Sequence, residues 1–390
     1  VPYCTLSRTV QGDAGFVPLS ISLGTVEMVF DAPPQGCNTT TGFDISDVPT
    51  RAVRREDGSI LLISGNSRGN YYMEGPDFNH LQRNCTTPAP LDSNFNPDPS
   101  LFDWQRWVLS TYRDENSSTP NRIYALVNHE YHDLVHVPPC FAGIGAFCQY
   151  NSQLFAYSDD GGHSYVQPPA PARLAAALPY PFDYNLSLVP GERPPRPHGM
   201  FGGTNILKKD DGYYYSFVPV IYDPLDINAS TIKCLMRTNN LSDFQSWRFW
   251  NGTEFSHQTR NPYVNGVSYA TAIADPSMYF CTEVDHNIDM GVHSVTYNTY
   301  LQKYIMMGAK GDPDASYPCG GFYYSLSNDL IHWSIPRMFW VRHMPWCNSP
   351  DEQWQTGSMY PSIIDHSDTS INFENAGNQS YLYYTDYINL

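Results

Sequence analysis

The stretch FYYSLSNDLIHWS, Phe322 to Ser334, runs as aromatic, strand-like text, breaks at Ser-Asn-Asp-Leu and resumes at a tryptophan. Period-two alternation suits a strand, Asn-Asp suits a tight turn, and a tryptophan beyond it suits the returning strand. On its own this is one hairpin. Related text stands at MEGPDFNHLQ from Met73, YSDDGGHSYV from Tyr157 and MRTNNLSDFQSWRFW from Met236. A hairpin written four times predicts a repeat.

Working outward, each hairpin follows a strand pair of shared plan, often turning at Asp-Gly. These pairs are TRAVRREDGSILLISGN (Thr50–Asn66), RWVLSTYRDENSSTPNRIYALVNHEYHD (Arg106–Asp133), GGTNILKKDDGYYYSFV (Gly202–Val218) and HSVTYNTYLQKYIMMGAK (His293–Lys310). A fifth, Pro361–Tyr387, runs into the end of the chain, so its outer strand must come from elsewhere. The segment VEMVF, Val26–Phe30, reads as an unpaired strand able to supply it and close a ring. The expectation is all-β: one five-bladed β-propeller domain over residues 1–390, with blades at about 46–90, 101–170, 198–257, 290–342 and 358–390 and residues 1–45 closing the last. The competing architecture is a β-sandwich with a second β-domain. Helical periodicity is nearly absent; ARLAAAL, Ala172–Leu178, reads as one short loop helix.

With 390 residues, 41% of them hydrophobic, the chain can bury a sizeable core, and no apolar run approaches a transmembrane span. A net charge of −17 opposes nucleic acid or an anionic membrane surface as a partner. Eight of the 27 asparagines begin N-x-[ST] sequons, at Asn38, Asn84, Asn116, Asn185, Asn228, Asn240, Asn251 and Asn378. Chance gives about four, so the excess predicts a secreted, extracellular glycoprotein with its cysteines largely in disulfides. The sequence begins VPYC without a basic and apolar leader, and a signal peptide is expected to have been removed. No CxxC pair suggests zinc or an iron–sulfur cluster. Cys140 and Cys148 bracket FAGIGAF and are expected to pair; Cys319 with Cys347 is a second expectation. Nine cysteines leave one for a free thiol, or for an intermolecular disulfide and self-assembly.

Three segments, DDGYYYSF (Asp210–Phe217), SLSNDLIHW (Ser325–Trp333) and YLYYTDY (Tyr381–Tyr387), resemble the five-bladed propeller glycoside hydrolases of the arabinanase, levanase and β-mannoside phosphorylase kind. The resemblance implies an acidic residue on the inner strand of each of the first three blades. Asp47 matches the first, in an Asp-x-Pro setting, and Asp103 matches the second, which orients and tunes the acid. The third departs from the pattern: His198 stands where a glutamate belongs, and Glu192 lies in a Pro-rich loop. Ser158, Asp160, Gly162 and Tyr165 also fit the Asp box of sialidases, but that box predicts a turn, not a reaction.

Propellers take ligands where their innermost strands begin. That rule nominates Asp47; Asp103 with Gln105 and Arg106; His198 with Asn205; Asp289 with His293; and Tyr360. VNHEYHD, Val127–Asp133, is the most polar strand end, and alternation sends Asn128, Glu130 and His132 to one face and His129 and Tyr131 to the other. Histidine, glutamate and histidine this close could form a metal site or an acid–base pair, with Glu130 as the substitute acid, or be a solvated strand end. Glycosidic cleavage needs two carboxyl groups; Glu130 as acid and Asp47 as base or nucleophile would supply them. Trp104, Trp346 and Trp354 fall in loops, where an indole could stack on a sugar ring. No cofactor is implied; KGDPDAS, Lys310–Ser316, could hold Ca²⁺ through its oxygens, but it lacks the spacing of an EF-hand loop and reads first as a turn. Two functions remain open: hydrolysis of glycosidic bonds in an extracellular glycan or polysaccharide, and a non-catalytic propeller that binds glycans or builds an extracellular assembly.

Overall fold

The computed structural model describes residues 3–8, 19–32, 34–37, 44–86, 88–133, 148–184, 197–226, 230–311, 319–345 and 357–387. The opening stretch is a strand, Gly320–Ser327, that turns and returns as Arg337–Val341. Its sequence writes the turn. Ser327 Oγ accepts the Leu330 N–H at 2.9 Å, and Asp329 Oδ1 accepts those of Ile331 and His332 at 2.8 Å. Trp333, 2% exposed, donates its indole N–H to the Leu330 carbonyl at 2.9 Å. These short side chains satisfy donors that the strand ladder has released. The same device ends the third strand of the other three hairpins: Asp77 accepts from the Asn79 N–H, Asp160 from that of Ser164 and Asp243 from that of Gln245.

The chain divides into two compact units, Val1–Gly65 with Tyr71–Cys85 and Asp285–Leu390, and Asn66–Asn70 with Thr86–Val284. The first holds three sheets. One runs Arg51–Arg54, Ile60–Ile63, Tyr72–Gly75, Gln82–Asn84. Another runs Gly291–Asn298, Lys303–Gly311, Gly320–Ser327, Arg337–Val341, with Asn375–Ala376 alongside its first strand. The last runs Gly357–Ile364, Gln379–Tyr387, Tyr3–Arg8, Leu19–Leu23.

An N-terminal strand does complete the last sheet, but it is not Val26–Phe30. Tyr3 pairs with Tyr381 and Thr5 with Gln379, and Leu19–Leu23 pairs outside. LSISL alternates half-buried and exposed residues, as an outer strand should, and its Leu19 and Ile21 pack on Phe322, Tyr324 and Leu382. Val26 and Met28 instead stand 54% and 74% exposed, while Val29 and Phe30 pack onto the cluster of Ala52, Ile60, Leu62 and Met73 without joining a ladder.

The second unit holds a ten-stranded sheet and a two-stranded one, Arg68–Gly69 with Leu91–Asp92. Gln105–Arg113, Ile123–His132, Gln149–Ser158 and Leu174–Ala176 form the first four strands of the larger sheet. His198–Met200 then pairs in parallel with Gln149–Ser158 and antiparallel with Tyr214–Ile221, which continues into Ile232–Thr238, Arg248–Trp250 and Phe255–His257. Only glycine allows that parallel seam, since a Cβ on Gly199 (φ +123°) would lie 2.3 Å from the Asn151 carbonyl oxygen. The Ala-rich text expected as a helix is a strand instead: Ala176 pairs with Gln153 and Leu174 with Leu154. Every residue from Leu174 to Leu178 is buried, which suits a strand covered on both faces and leaves no polar face for a loop helix. The two α-helices, Tyr269–Ala274 and Pro276–Tyr279, are capped by Ser268 and Asp275.

Two disulfides that the spacing did not reveal, Cys37–Cys85 and Cys234–Cys281, staple the first and second units respectively. Cys148 and Cys319 are also disulfide-bonded, while Cys140 and Cys347, their expected partners, lie outside the described residues. Among the sequons, Asn116, Asn240, Asn251 and Asn378 are exposed, whereas half-buried Asn84 gives its amide to Glu74. Asn38, Asn185 and Asn228 lie outside the described residues, as do Trp346, Trp354, Glu192 and most of the Lys310–Ser316 loop. No described helix is long and apolar enough to cross a membrane.

Candidate functional site

In the second unit, three antiparallel strands lay their side chains out in rows. Gln105, Glu130 and Asn151 stand opposite one another, and Trp107, Asn128 and Gln153 form the next row. Directly paired residues share a face, so Glu130 gathers amides around it. The Asn128 and Asn151 amides donate to its Oε1 at 3.1 and 3.3 Å, and the His132 imidazole lies 3.3 Å from Oε2. Gln153 continues the chain, donating to Asn128 at 3.3 Å and to the carbonyls of Met200 and Phe201 at 3.1 and 2.8 Å. Asn128, Asn151 and Gln153 are buried, whereas the Glu130 side chain keeps 22% of its surface exposed. The result is a carboxyl group with one oxygen held by two amides and an imidazole beside the other, on a side chain that is not fully buried.

His129 faces the other way. Its Nε2 accepts the Trp104 N–H at 3.2 Å and its Nδ1 meets Ser152 Oγ at 3.0 Å, so the neutral ring protonated at Nδ1 satisfies both contacts. Burial first, then Arg106, His132 and Arg173, pull its pKa down to about 3. Asp103 is committed to two cations, Arg106 at 2.9 Å and Arg173 at 3.3 Å, and accepts the Asn94 amide at 2.9 Å. Trp104, 7% exposed, sits in the core with its ring edge-to-face with Phe95 and Tyr131. His198 is likewise buried, 5.2 Å from the ring of Tyr150 and stacked 6.3 Å from that of Tyr180. Asn205 is half-buried in the approach to Leu207–Lys208.

The first unit builds a separate cluster around Asp47. Its Oδ1 accepts the hydroxyls of Tyr360 at 3.3 Å and Tyr387 at 3.2 Å. The Tyr360 ring meets His293 edge-on, 5.6 Å between centroids, and Arg51 holds the His293 carbonyl at 2.8 Å. Burial, then Arg51, lowers the His293 pKa to about 3, and burial lowers that of Arg51 to about 9. Tyr387 is pushed well above the ordinary tyrosine range, first by burial and then by Tyr360 and Asp47. Tyr387 also borders a pocket of about 270 Å³ walled by Val26, Met28, Phe30, Leu62 and Met73. Asp289 stands outside this cluster: 77% exposed, it pairs with Lys310.

Of the residues nominated from sequence, Asp47, His293 and Tyr360 come together in the first unit, and Glu130 gathers Asn128 and His132 in the second. Sequence reading missed Tyr387, Arg51, Asn151 and Gln153. The alternation of Asn151 and Gln153 within YNSQLF was the available signal, two amides on one face of a largely buried strand. Among the described residues, no group of three His, Cys, Asp or Glu side chains is placed to hold a metal ion.

No family model matches the chain, and no curated protein sequence matches it. Among solved structures, it is similar to a thermostable family-43 glycoside hydrolase at 11% identity and a TM-score of 0.42, over 89% of this chain and 92% of that one. It is also similar to a family-32 β-fructofuranosidase of Bombyx mori at 10% identity and a TM-score of 0.41, over 86% of this chain and 59% of that one. An exo-inulinase of Aspergillus awamori is similar at 10% identity and a TM-score of 0.40, over 90% of this chain and 66% of that one.

Proposed function

We propose that this chain is a secreted, N-glycosylated, carbohydrate-active propeller that hydrolyses glycosidic bonds of an extracellular glycan, with its strand groups closed into a five-bladed ring. The observation that carries the reading is the setting of Glu130. Two amides fix one oxygen, an imidazole adjoins the other, and part of the side chain remains open to solvent. With Oε1 held by the amides, the acid form can place its hydroxyl on Oε2, where a neutral His132 ring 3.3 Å away can accept it. This is the geometry of a carboxyl able to pass a proton to a leaving glycosidic oxygen. Asp47 is assigned the second role, the carboxylate that activates water or attacks the sugar, on the resemblance and on the two tyrosine hydroxyls that hold its Oδ1 in place. Asp103 acts at one remove, by fixing Arg106 and Arg173. Secretion and glycosylation rest on the disulfides and on the exposed sequons at Asn116, Asn240, Asn251 and Asn378.

One observation favours the second reading, a propeller that binds glycans or assembles without cleaving them. His198, where the resemblance calls for a third acid, is enclosed by Tyr150 and Tyr180. A broad panel of glycans presented to wild type and to Asp47→Asn separates the two. Hydrolysis by wild type alone, with binding kept by the variant, supports the enzyme; binding without hydrolysis by both proteins supports the binding module, and equal hydrolysis by both removes Asp47 from the chemistry.

A further inference from the structure

We propose that Tyr360 and Tyr387 are positioning residues that clamp Asp47 through Oδ1 and keep its carboxylate ionised and fixed for the reaction; the inference rests on the reading of Asp47 as the charged carboxyl group. Both hydroxyls converge on that one oxygen, at 3.3 and 3.2 Å, from two strands that are neighbours in one sheet. Sequence alternation alone does not aim Tyr360 this way. The ladder shifts register between Met359 and Ser362, so that Tyr360 and Pro361 bulge outward, and Tyr360 takes a left-handed φ of +62°. A bulky residue in that region is strained and persists only where the surroundings hold it. A bulge is also the device by which a strand re-aims one side chain.

The surroundings do hold it. Ser294 Oγ donates to the Pro361 carbonyl at 3.4 Å and Ser362 Oγ to that of Thr50 at 3.0 Å, pinning the strand just after the bulge. The ring itself rests against His293, which is the extra residue of a second bulge, between Val292 and Ser294. Two irregularities in two sheets thus serve one contact. The Tyr387 hydroxyl shares its one proton between Asp47 Oδ1 and the Ser46 carbonyl, 3.3 Å from the latter.

The charged and titratable groups beside the clamp have contacts of their own. His293 is held neutral. Arg51 reaches its carbonyl and that of Thr50. Asp386, next to Tyr387, is paired with Arg342, and Asp44 with Arg83. A hydroxyl donating to a carboxylate stabilises the ionised form over the acid, so removing the hydroxyls raises the pH at which Asp47 takes up its proton.

The test uses the full glycosylated chain as wild type, Tyr360→Phe, Tyr387→Phe and the double variant, each keeping its ring and its packing. A water-soluble carbodiimide with glycinamide labels carboxyl groups, and peptide mass spectrometry follows labelling at Asp47 against pH, with Asp47→Asn as the blank. The clamp predicts a labelling midpoint raised by about one pH unit in the double variant and by less in each single one. If Asp47 is also catalytic, the acid limb of kcat/KM moves upward by the same amount and the alkaline limb does not. A shifted midpoint with an unmoved acid limb upholds the clamp and removes Asp47 from the chemistry. An unchanged midpoint in both single variants and the double one overturns the clamp.

Discussion

Replacing Trp104 by alanine should unfold the second unit more readily without a specific loss of glycan binding. The indole is 7% exposed and belongs to the cluster that includes Tyr131, Tyr150, Leu178 and Tyr180. An indole buries roughly 150–250 Å², which at about 25 cal/mol per Å² is worth about 4–6 kcal/mol. Its edge-to-face contacts with Phe95 and Tyr131, each 5.8 Å between centroids, add to that. Large-to-small substitutions of this kind cost about 3–5 kcal/mol, because the site collapses in part. We therefore expect a loss of about 4 kcal/mol for Trp104→Ala and less than half of it for Trp104→Phe. Urea titration followed by circular dichroism reads the midpoint, and glycan binding is measured on the folded fraction at low denaturant. The reasoning from burial is refuted if Trp104→Ala keeps the wild-type midpoint and loses binding, the behaviour of an exposed stacking platform.

Further expectations follow from the ion pairs and the histidines. Asp103→Asn leaves Arg106 and Arg173 close together without their shared counter-charge and should cost about 3 kcal/mol; an unshifted urea midpoint contradicts the triad. His129 and His293 take up protons near pH 3 when folded and His366 near pH 4, against 6.5 for an ordinary imidazole. Between those values the unfolded chain binds more protons, so stability is full above pH 6.5 and falls as pH drops through that window. Thermal melts from pH 7.5 to 4.5 should show this decline, and His129→Gln should flatten part of it; a melting temperature flat over that range contradicts buried neutral histidines.

The strand rhythm was legible because its turns are written in side chains. Asp77, Asp160, Asp243 and Asp329 each accept backbone donors in the third-to-fourth strand turn of their sheet, and each stood in the hairpin text. Val26–Phe30 misled because apolar, β-branched text signals burial and not pairing; its Val29 and Phe30 are packed but bond to no strand. Ala172–Leu178 misled for the converse reason, as helix propensity gave way to a fully enclosed position. The disulfides join cysteines 48 and 47 residues apart, a pairing that spacing cannot select among nine cysteines. At the site, alternation placed Asn128, Glu130 and His132 together, since that strand is regular at those positions. Tyr360 meets Asp47 through a bulge, and a bulge leaves no periodic trace in sequence.

The central claim is that Glu130 protonates a departing sugar oxygen, and leaving-group dependence tests it most directly. Wild type and Glu130→Gln are compared on aryl glycosides of the sugars found in the panel, from phenol to 2,4-dinitrophenol as leaving group. An acid catalyst contributes roughly 10²–10⁴-fold where the leaving group needs a proton and little where it does not. The account predicts a loss of that order for Glu130→Gln on phenyl glycosides and on the glycan, shrinking to less than tenfold with dinitrophenol. An equal loss across the whole series, or no loss at all, contradicts it.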